Sequence, residues 1–382
     1  MTNIPRGTSP VGVPMIAPDE WSVKPKTDLK GLILAGGKGT RLRPLTYTSA
    51  KQLIPVANKP ILFYGIEAMV DAGIQEIGIV VGETHRDIRA ACGDGSAWHI
   101  KIEYIQQESP LGLAHAVKIA RKFIGDSRFC MYLGDNLLKD GLANLIPDFE
   151  KSHANAMILL THVPNPQQFG VAEVDRRGNV TRLTEKPKEP KSDLALVGVY
   201  LFDKRIFQAV ESIRPSERGE LEITDAIQFL ITNGYSVRPS FIKGWWKDTG
   251  KKDDLLDANR LILETIGRDV QGEIRGRMPI EGNVIIHKEA LIIDSKIRGP
   301  AIIGKEAKIE NSYIGPFTSI GPGARVLGSE LEHSIIMEGA QIINITTRLT
   351  DCVLGKNSQI TMSDERPKAI RVMLGDNSEV GL

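Results

Sequence analysis

Aliphatic side chains in the last third of the chain return every six residues: Ile285 and Leu291; Ile297, Ile303 and Ile309; Ile314, Ile320 and Val326; Ile336 and Ile342; Leu354 and Ile360. Glycine follows the aliphatic residue at Gly304, Gly315, Gly321 and Gly355. A hexapeptide period predicts a parallel β-helix, in which each six-residue segment is one flat face of a coil and an inward aliphatic side chain stacks on its neighbours in adjacent coils. Glycine suits the corners, where bulkier residues resist the backbone conformation. The period slips by one residue between Ile309 and Ile314 and again after Val326, so corners or small insertions are expected there.

Upstream of this array the texture differs. Short apolar runs at Gly31–Leu34, Glu76–Val81, Lys101–Ile105 and Phe129–Leu133 read as strands, with helices over Ile61–Ala72 and Leu113–Phe123. Strands separated by helices of that length argue for βαβ units and a mostly parallel sheet covered on both faces. After Ala154 the runs Ala156–Val163, Val171–Val174, Val180–Leu183 and Leu196–Phe202 follow one another through turns, which predicts mixed or antiparallel additions. Lys251–Ile266 reads as a helix leaving this domain. The expected division is a flexible arm over 1–29, a catalytic domain over 30–268 and a β-helix over 269–382. The expected fold class is α/β: a Rossmann-like, mostly parallel mixed sheet sandwiched by helices, then a left-handed parallel β-helix.

Composition narrows the partners. With 48 basic and 47 acidic side chains the net charge is +1, so no broad attraction to nucleic acid or anionic membrane is expected and anion binding must be local. The three cysteines, Cys92, Cys130 and Cys352, are far apart and form no CxxC pair, which argues against a disulfide framework or zinc site and suits the cytoplasm. No apolar run approaches the roughly 18 residues needed to span a bilayer. The arm, with Pro5, Pro10, Pro14, Pro18 and Pro25, lacks the pattern of a signal peptide.

The strongest chemical signal is LAGGKGTRLRP, Leu34–Pro44, directly after a strand. It lacks the GxxxxGK[ST] of a P-loop, and Leu42 stands where a dinucleotide fingerprint needs its third glycine. The physical logic is similar: Gly36, Gly37 and Gly39 let the backbone aim its N–H groups at phosphate oxygens. Arg41 adds a planar cation suited to bidentate phosphate contact, and Lys51 a point-like one.

The segments AGGKGTRLRPLT (Ala35–Thr46) and AKQLIPVANKPIL (Ala50–Leu62) resemble the opening of the sugar nucleotidyltransferases, most closely the glucose-1-phosphate thymidylyltransferases in their long form with a C-terminal β-helix. The resemblance continues through QQESPLGLAHAV (Gln106–Val117), LGDN (Leu133–Asn136), FGVAEVD (Phe169–Asp175), TEKPKEPKS (Thr184–Ser192), RGELEITDAI (Arg218–Ile227) and WWKDTG (Trp245–Gly250), and covers nearly everything but the arm. It implies that dTTP and glucose 1-phosphate are joined to give dTDP-glucose and pyrophosphate. It also implies that Ala35, Gly36, Gly37, Gly39, Thr40, Arg41, Gln107 and Gly112 bind the nucleotide, and that Asp135 and Asp248 share a magnesium ion. Magnesium takes oxygen ligands, usually one or two carboxylates with phosphate and water. Arg41, Lys51, Asp135 and Asp248 are then the catalytic set, while Gly170, Glu185, Lys186, Gly198 and Arg218 face the sugar phosphate.

Gln107 offers both a donor and an acceptor, matching the imide edge of a pyrimidine. Uracil and thymine share that edge and differ by one methyl, worth about 1 kcal/mol. The Lys51–Gln52 pair favours thymidylyl transfer, because guanylyl and adenylyl relatives more often carry Lys-Pro there. Leu111 stands where the short thymidylyltransferases usually have Asp, which marks a subtype. The alternatives are a UTP-using or other sugar-1-phosphate nucleotidyltransferase, a bifunctional enzyme whose β-helix transfers acyl groups with His287 or His333 as base, and a catalytically silent regulatory homologue. A β-helix exposes coil ends and flat faces, so a homo-oligomer is expected.

Overall fold

The computed structural model describes residues 26–362 and 378–379, so the arm expected over 1–29 lies outside the described residues except at 26–29. By its contacts the chain forms two compact units. The first is built from the segment ending at Lys38, Ala50–Leu53 and Ile61–Asp248; the second from Gly39–Ser49, Ile54–Pro60 and the segment beginning at Thr249.

The first unit holds a nine-stranded mixed sheet. Its strands are β1 (Lys30–Ala35), β2 (Glu76–Val81), β3 (Lys101–Gln106), β4 (Phe129–Leu133), β6 (Ala156–His162), β7 (Gly170–Val174), β8 (Val180–Glu185), β9 (Leu194–Phe202) and β10 (Val237–Phe241); β5 (Asn136–Leu138) and β11 (Trp246–Asp248) form a separate two-stranded ladder. The order across the sheet is β8-β7-β9-β4-β1-β2-β3, with β6 on β9 and β10 on β6. The expected mixture is present: β1 pairs in parallel with β2 and β4, and β2 with β3, whereas β9 runs antiparallel to β4, β6 and β7.

Both faces are covered, which explains why β1 is a continuous apolar run rather than an alternating one. Leu32 and Leu34 enter one core with residues of the helices at 113–124, 205–212 and 223–232. Ile33 and Ala35 point the other way, into a core with the helices at 61–71, 85–92 and 145–152. One expected element divides: Leu113–Phe123 is two helices, Leu113–Ile119 and Arg121–Ile124, with Ala120 as the cap between them.

In the second unit three parallel sheets of six, six and four strands wind as the β-helix. Ile292 faces Ile309 and Ile309 faces Val326, so these coils repeat at 17 residues. One coil is thus a residue short of three hexapeptides, which accounts for the slips in the period. Ile297, Ile303, Ile309, Ile314, Ile320, Val326, Ile336 and Ile342 line the interior as expected. The second coil, over 284–298, is out by one in two of its strands: Ile286 and Ile292 point inward, not Ile285 and Leu291. Ile285 instead packs outward beside Ala57, Leu263 and Ile302.

That outer cluster belongs to a knot inside the second unit, where a hairpin (Pro55–Val56 with Lys59–Pro60) and the helix Lys252–Leu263 meet the β-helix. Asn259 is fully buried there. Its Oδ1 accepts from Ala57 N (2.9 Å) and from the Ser319 hydroxyl, and its Nδ2 donates to Phe317 O (3.0 Å). Asn58 Nδ2 adds a bond to Ile320 O (2.7 Å).

Candidate active site

Strands β1 to β4 are mutually parallel, so their carboxyl ends share one edge, the usual ligand edge of such a sheet. Gly36 and Gly37 follow β1, Gln107 follows β3, and Asp135 follows β4 after Gly134, whose N–H bonds Leu34 O (2.9 Å).

Asp135 is the electrostatic centre. The Lys51 ammonium pairs with its Oδ2, and Asn136 Nδ2 donates to Oδ1 (3.0 Å); the Lys51 and Asp135 side chains are 14% and 16% exposed. Burial pushes the Asp135 pKa up, but the Lys51 charge and the hydrogen bonds from Lys51 and Asn136 outweigh it and hold the carboxyl below its ordinary value. Gly37 makes room for the lysine: a Cβ there would stand 3.2 Å from Lys51 Cε.

Asp248 is placed by the β5–β11 ladder, in which it is the register partner of Asn136. Its backbone therefore lies across the ladder from the residue next to Asp135. Asn136, 2% exposed, ties the two strands together, because its Oδ1 accepts from Trp246 Nε1 at 2.6 Å. Gly198 is required at this point, since a Cβ would stand 2.6 Å from Asn136 Oδ1 and 2.7 Å from Leu133 Cδ1. Asn136 was visible in LGDN, yet nothing in the sequence assigned it a task; its partner Trp246 is 110 residues away.

Gln107 and Gly112 come together with Gly36. Gln107 Nε2 donates to Gly112 O (3.4 Å) and meets His115 Nδ1 (3.0 Å), and a Cβ on Gly36 would stand 3.2 Å from Gln107 Oε1. Burial, then the Lys118 charge, lowers the His115 pKa, and its Nδ1 is placed to accept from the amide. Gly112 caps the helix Leu113–Ile119 at φ 102°, with the Leu221 carbonyl 2.4 Å from where a Cβ would be. No side chain other than glycine fits. The Ala35 methyl is in the core, which leaves only its backbone for a ligand.

A second group of residues closes around Glu185 at the end of β8. Gly170 is its register partner, Arg218 Nη1 lies 3.3 Å from Oε1, Lys186 Nζ 3.7 Å from Oε1, and Thr224 Oγ1 donates to Oε2 (3.3 Å). Sequence reasoning missed Thr224 and Glu222, the latter 4% exposed and 3.3 Å from Arg218. Burial raises the Glu222 pKa, with Glu185 and Glu220 adding to it against the pull of Ser216 and Arg218.

Gly39, Thr40 and Arg41 fall in the second unit. Gly39 takes φ 63°, the left-handed conformation that opens the turn Thr40–Leu42, and its carbonyl accepts from Thr46 Oγ1 (2.7 Å). The Arg41 guanidinium lies against Gly250, where a Cβ would stand 2.8 Å from Nη2. Among the described residues no group of three or more His, Cys, Asp or Glu is gathered for a metal, and no helix is long and apolar enough to cross a membrane.

An α/β sheet with glycines and Asp135 at its carboxyl edge, Asp248 on the neighbouring two-stranded ladder, and a hexapeptide β-helix beyond fit an enzyme of nucleotidyl transfer to sugar phosphates. The chain belongs to the nucleotidyl transferase family, which it matches over residues 30–265. It is 50% identical to a glucose-1-phosphate thymidylyltransferase of Streptomyces antibioticus over 92% of this chain and 99% of that one. It is 46% identical to a low-salt glycan biosynthesis nucleotidyltransferase of Haloferax volcanii, over 93% of this chain and all of that one. A candidate glucose-1-phosphate thymidylyltransferase of Bacillus anthracis, solved with sucrose, superposes with a TM-score of 0.58 at 35% identity, covering 61% of this chain and 94% of that one.

Proposed function

We propose that this enzyme joins dTTP and glucose 1-phosphate into dTDP-glucose, releasing pyrophosphate. The observation that carries the reading is the Lys51–Asp135 pair, set behind the glycine loop and beside the strand that brings Asp248. The thymidylyltransferase of Streptomyces antibioticus, which aligns with 92% of this chain, supports the choice of reaction.

The attacking phosphate oxygen of the sugar is already anionic at neutral pH, so no protein base is required. The obstacle is repulsion between two polyanions and the charge that builds at the α-phosphate, which cations and positioning relieve. In this reading Arg41 clamps the triphosphate and the departing pyrophosphate, with Gly39 and Thr40 offering backbone N–H groups. Lys51 neutralises the phosphates near the reacting centre. Gln107 and Gly112 read the pyrimidine. Glu185 accepts sugar hydroxyls, while Lys186 and Arg218 meet the sugar phosphate and Gly170 and Gly198 admit the hexose.

Asp135 and Asp248 are hard oxygen donors, too few to enclose an ion alone. That donor set suits magnesium, which keeps water and substrate phosphates in its shell. When bound, the ion supplies a Lewis acid that offsets phosphate charge. The enzyme is proposed to act in the cytoplasm as a homo-oligomer, with residues 30–268 as its catalytic domain and 269–382 as a β-helix without its own chemistry.

A pyrophosphate-release assay crossing dTTP, UTP, GTP, ATP and CTP with glucose-, galactose- and mannose-1-phosphate tests the reading. The pair dTTP and glucose 1-phosphate is expected to be fastest. UTP is expected within about tenfold, because one methyl is worth only about 1 kcal/mol. A poor rate for dTTP with glucose 1-phosphate rejects the specificity.

A further inference from the structure

We infer that Lys51 is a resident stand-in for the divalent cation: in the free enzyme its ammonium holds the Asp135 oxygen the ion needs, so the bare ion binds poorly until a triphosphate draws the lysine away. This rests on the proposal that Asp135 and Asp248 hold the ion.

The two oxygens of Asp135 are held in different ways. Oδ1 accepts from Asn136, a side chain that is 2% exposed and is itself fixed by Trp246 at 2.6 Å. That oxygen is tied to an immobile group. Oδ2 is held by Lys51, a compact ammonium on a flexible stem, carried by the short turn Lys51–Leu53. The stem runs beside Gly37, where a Cβ would stand 3.2 Å from Cε and 3.6 Å from Nζ. The ammonium is therefore already next to the backbone of the glycine loop, and a small rotation about its stem exchanges a carboxylate for a phosphate oxygen there. A carboxylate as buried as Asp135 is costly without a countercharge, and Lys51 supplies one. A divalent ion approaching the free protein must both displace this charge and lie beside it. A triphosphate removes the competitor by offering it another anion.

The experiment measures Mn2+ binding to the full chain at pH 8 without nucleotide, counting free ion by electron paramagnetic resonance. Lys51→Met and Lys51→Gln are each expected to bind one Mn2+ at least tenfold more tightly than wild type, and Asp135→Asn added to either is expected to abolish the gain. Unchanged affinity in both single variants, with Asp135→Asn alone weakening Mn2+ binding, overturns the stand-in and leaves the metal assignment intact. A gain that survives Asp135→Asn overturns both. Lys51→Gln keeps a hydrogen-bond donor for Asp135, and the rise in melting temperature on adding Mn2+ is the second readout. That rise is expected to be larger in the variant than in wild type, and an equal rise counts against the proposal.

Discussion

Replacing Asn136 by alanine tests whether the two carboxylate-bearing segments are held as one piece. The side chain is 2% exposed, donates to Asp135 Oδ1 at 3.0 Å and accepts from Trp246 Nε1 at 2.6 Å. A hydrogen bond to a charged group contributes about 1.5–3 kcal/mol, and a half-buried indole N–H left without its acceptor costs about 1 kcal/mol or more. The expected loss is therefore about 2.5–4 kcal/mol. Urea unfolding followed by tryptophan fluorescence reads it, because Trp98, Trp245 and Trp246 all belong to the first unit. A carboxylate free to turn should also lower kcat/KM by about 10–100-fold, the usual effect of losing a group that orients a metal ligand. Asn136→Asp is the control: it keeps an acceptor for Trp246 but sets a second negative charge beside Asp135. It should therefore lose at least as much stability as Asn136→Ala and keep little of the activity, because a buried carboxylate without a countercharge is costly. A loss under about 1 kcal/mol with near-normal turnover in Asn136→Ala would refute the reasoning.

Glu222 carries a pKa raised by burial, so its stabilising contribution is full below the ordinary carboxylate range and is lost as pH rises through the raised folded value. Glu222→Gln, which still accepts from Ser216, should gain in melting temperature over wild type between pH 4 and 7 and converge with it at lower pH; a difference independent of pH would contradict this. Asn259→Ala removes the acceptor of Ala57 N–H in the second unit and should cost about 2–4 kcal/mol, read as at least about tenfold faster amide exchange at Ala57. Unchanged exchange there would show that the knot is not held by Asn259. Burial pushes the Cys92 and Cys130 thiols up to about 12 and raises Cys352 as well, but only Cys352 is partly exposed, so a thiol reagent should label one site per native chain, slowly, at Cys352. Two or three labels before unfolding would contradict the burial.

The β-helix was legible because its period is a property of neighbouring residues. Its phase at the second coil was not, for a specific reason. Val284-Ile285-Ile286 and Leu291-Ile292-Ile293 are unbroken aliphatic triplets, and an alternating strand can turn either the middle or the outer residues inward. The structure turns Val284 and Ile286 in, and Ile285 faces out. It is apolar because Leu263 and Ile302 cover it, a contact that a local pattern does not contain.

The same limit divides the active site. The glycine loop, Lys51, Asp135 and Asp248 stood out because their residue types, set in recognisable segments, imply phosphate and metal chemistry. What organises them is written between segments: Lys51 reaches Asp135 over 84 positions and Trp246 reaches Asn136 over 110. Asn136 shows the consequence. A neutral amide beside a carboxylate has no chemistry of its own to advertise, and only the β5–β11 ladder reveals that it joins the strand of Asp248 to Asp135. Lys51 shows the converse. Its charge announces a phosphate ligand, and nothing in the sequence says that the same charge lies on the carboxylate proposed for the ion. On the stand-in proposal one lysine serves two anions in turn, and the order in which nucleotide and metal enter follows from which of them it is holding.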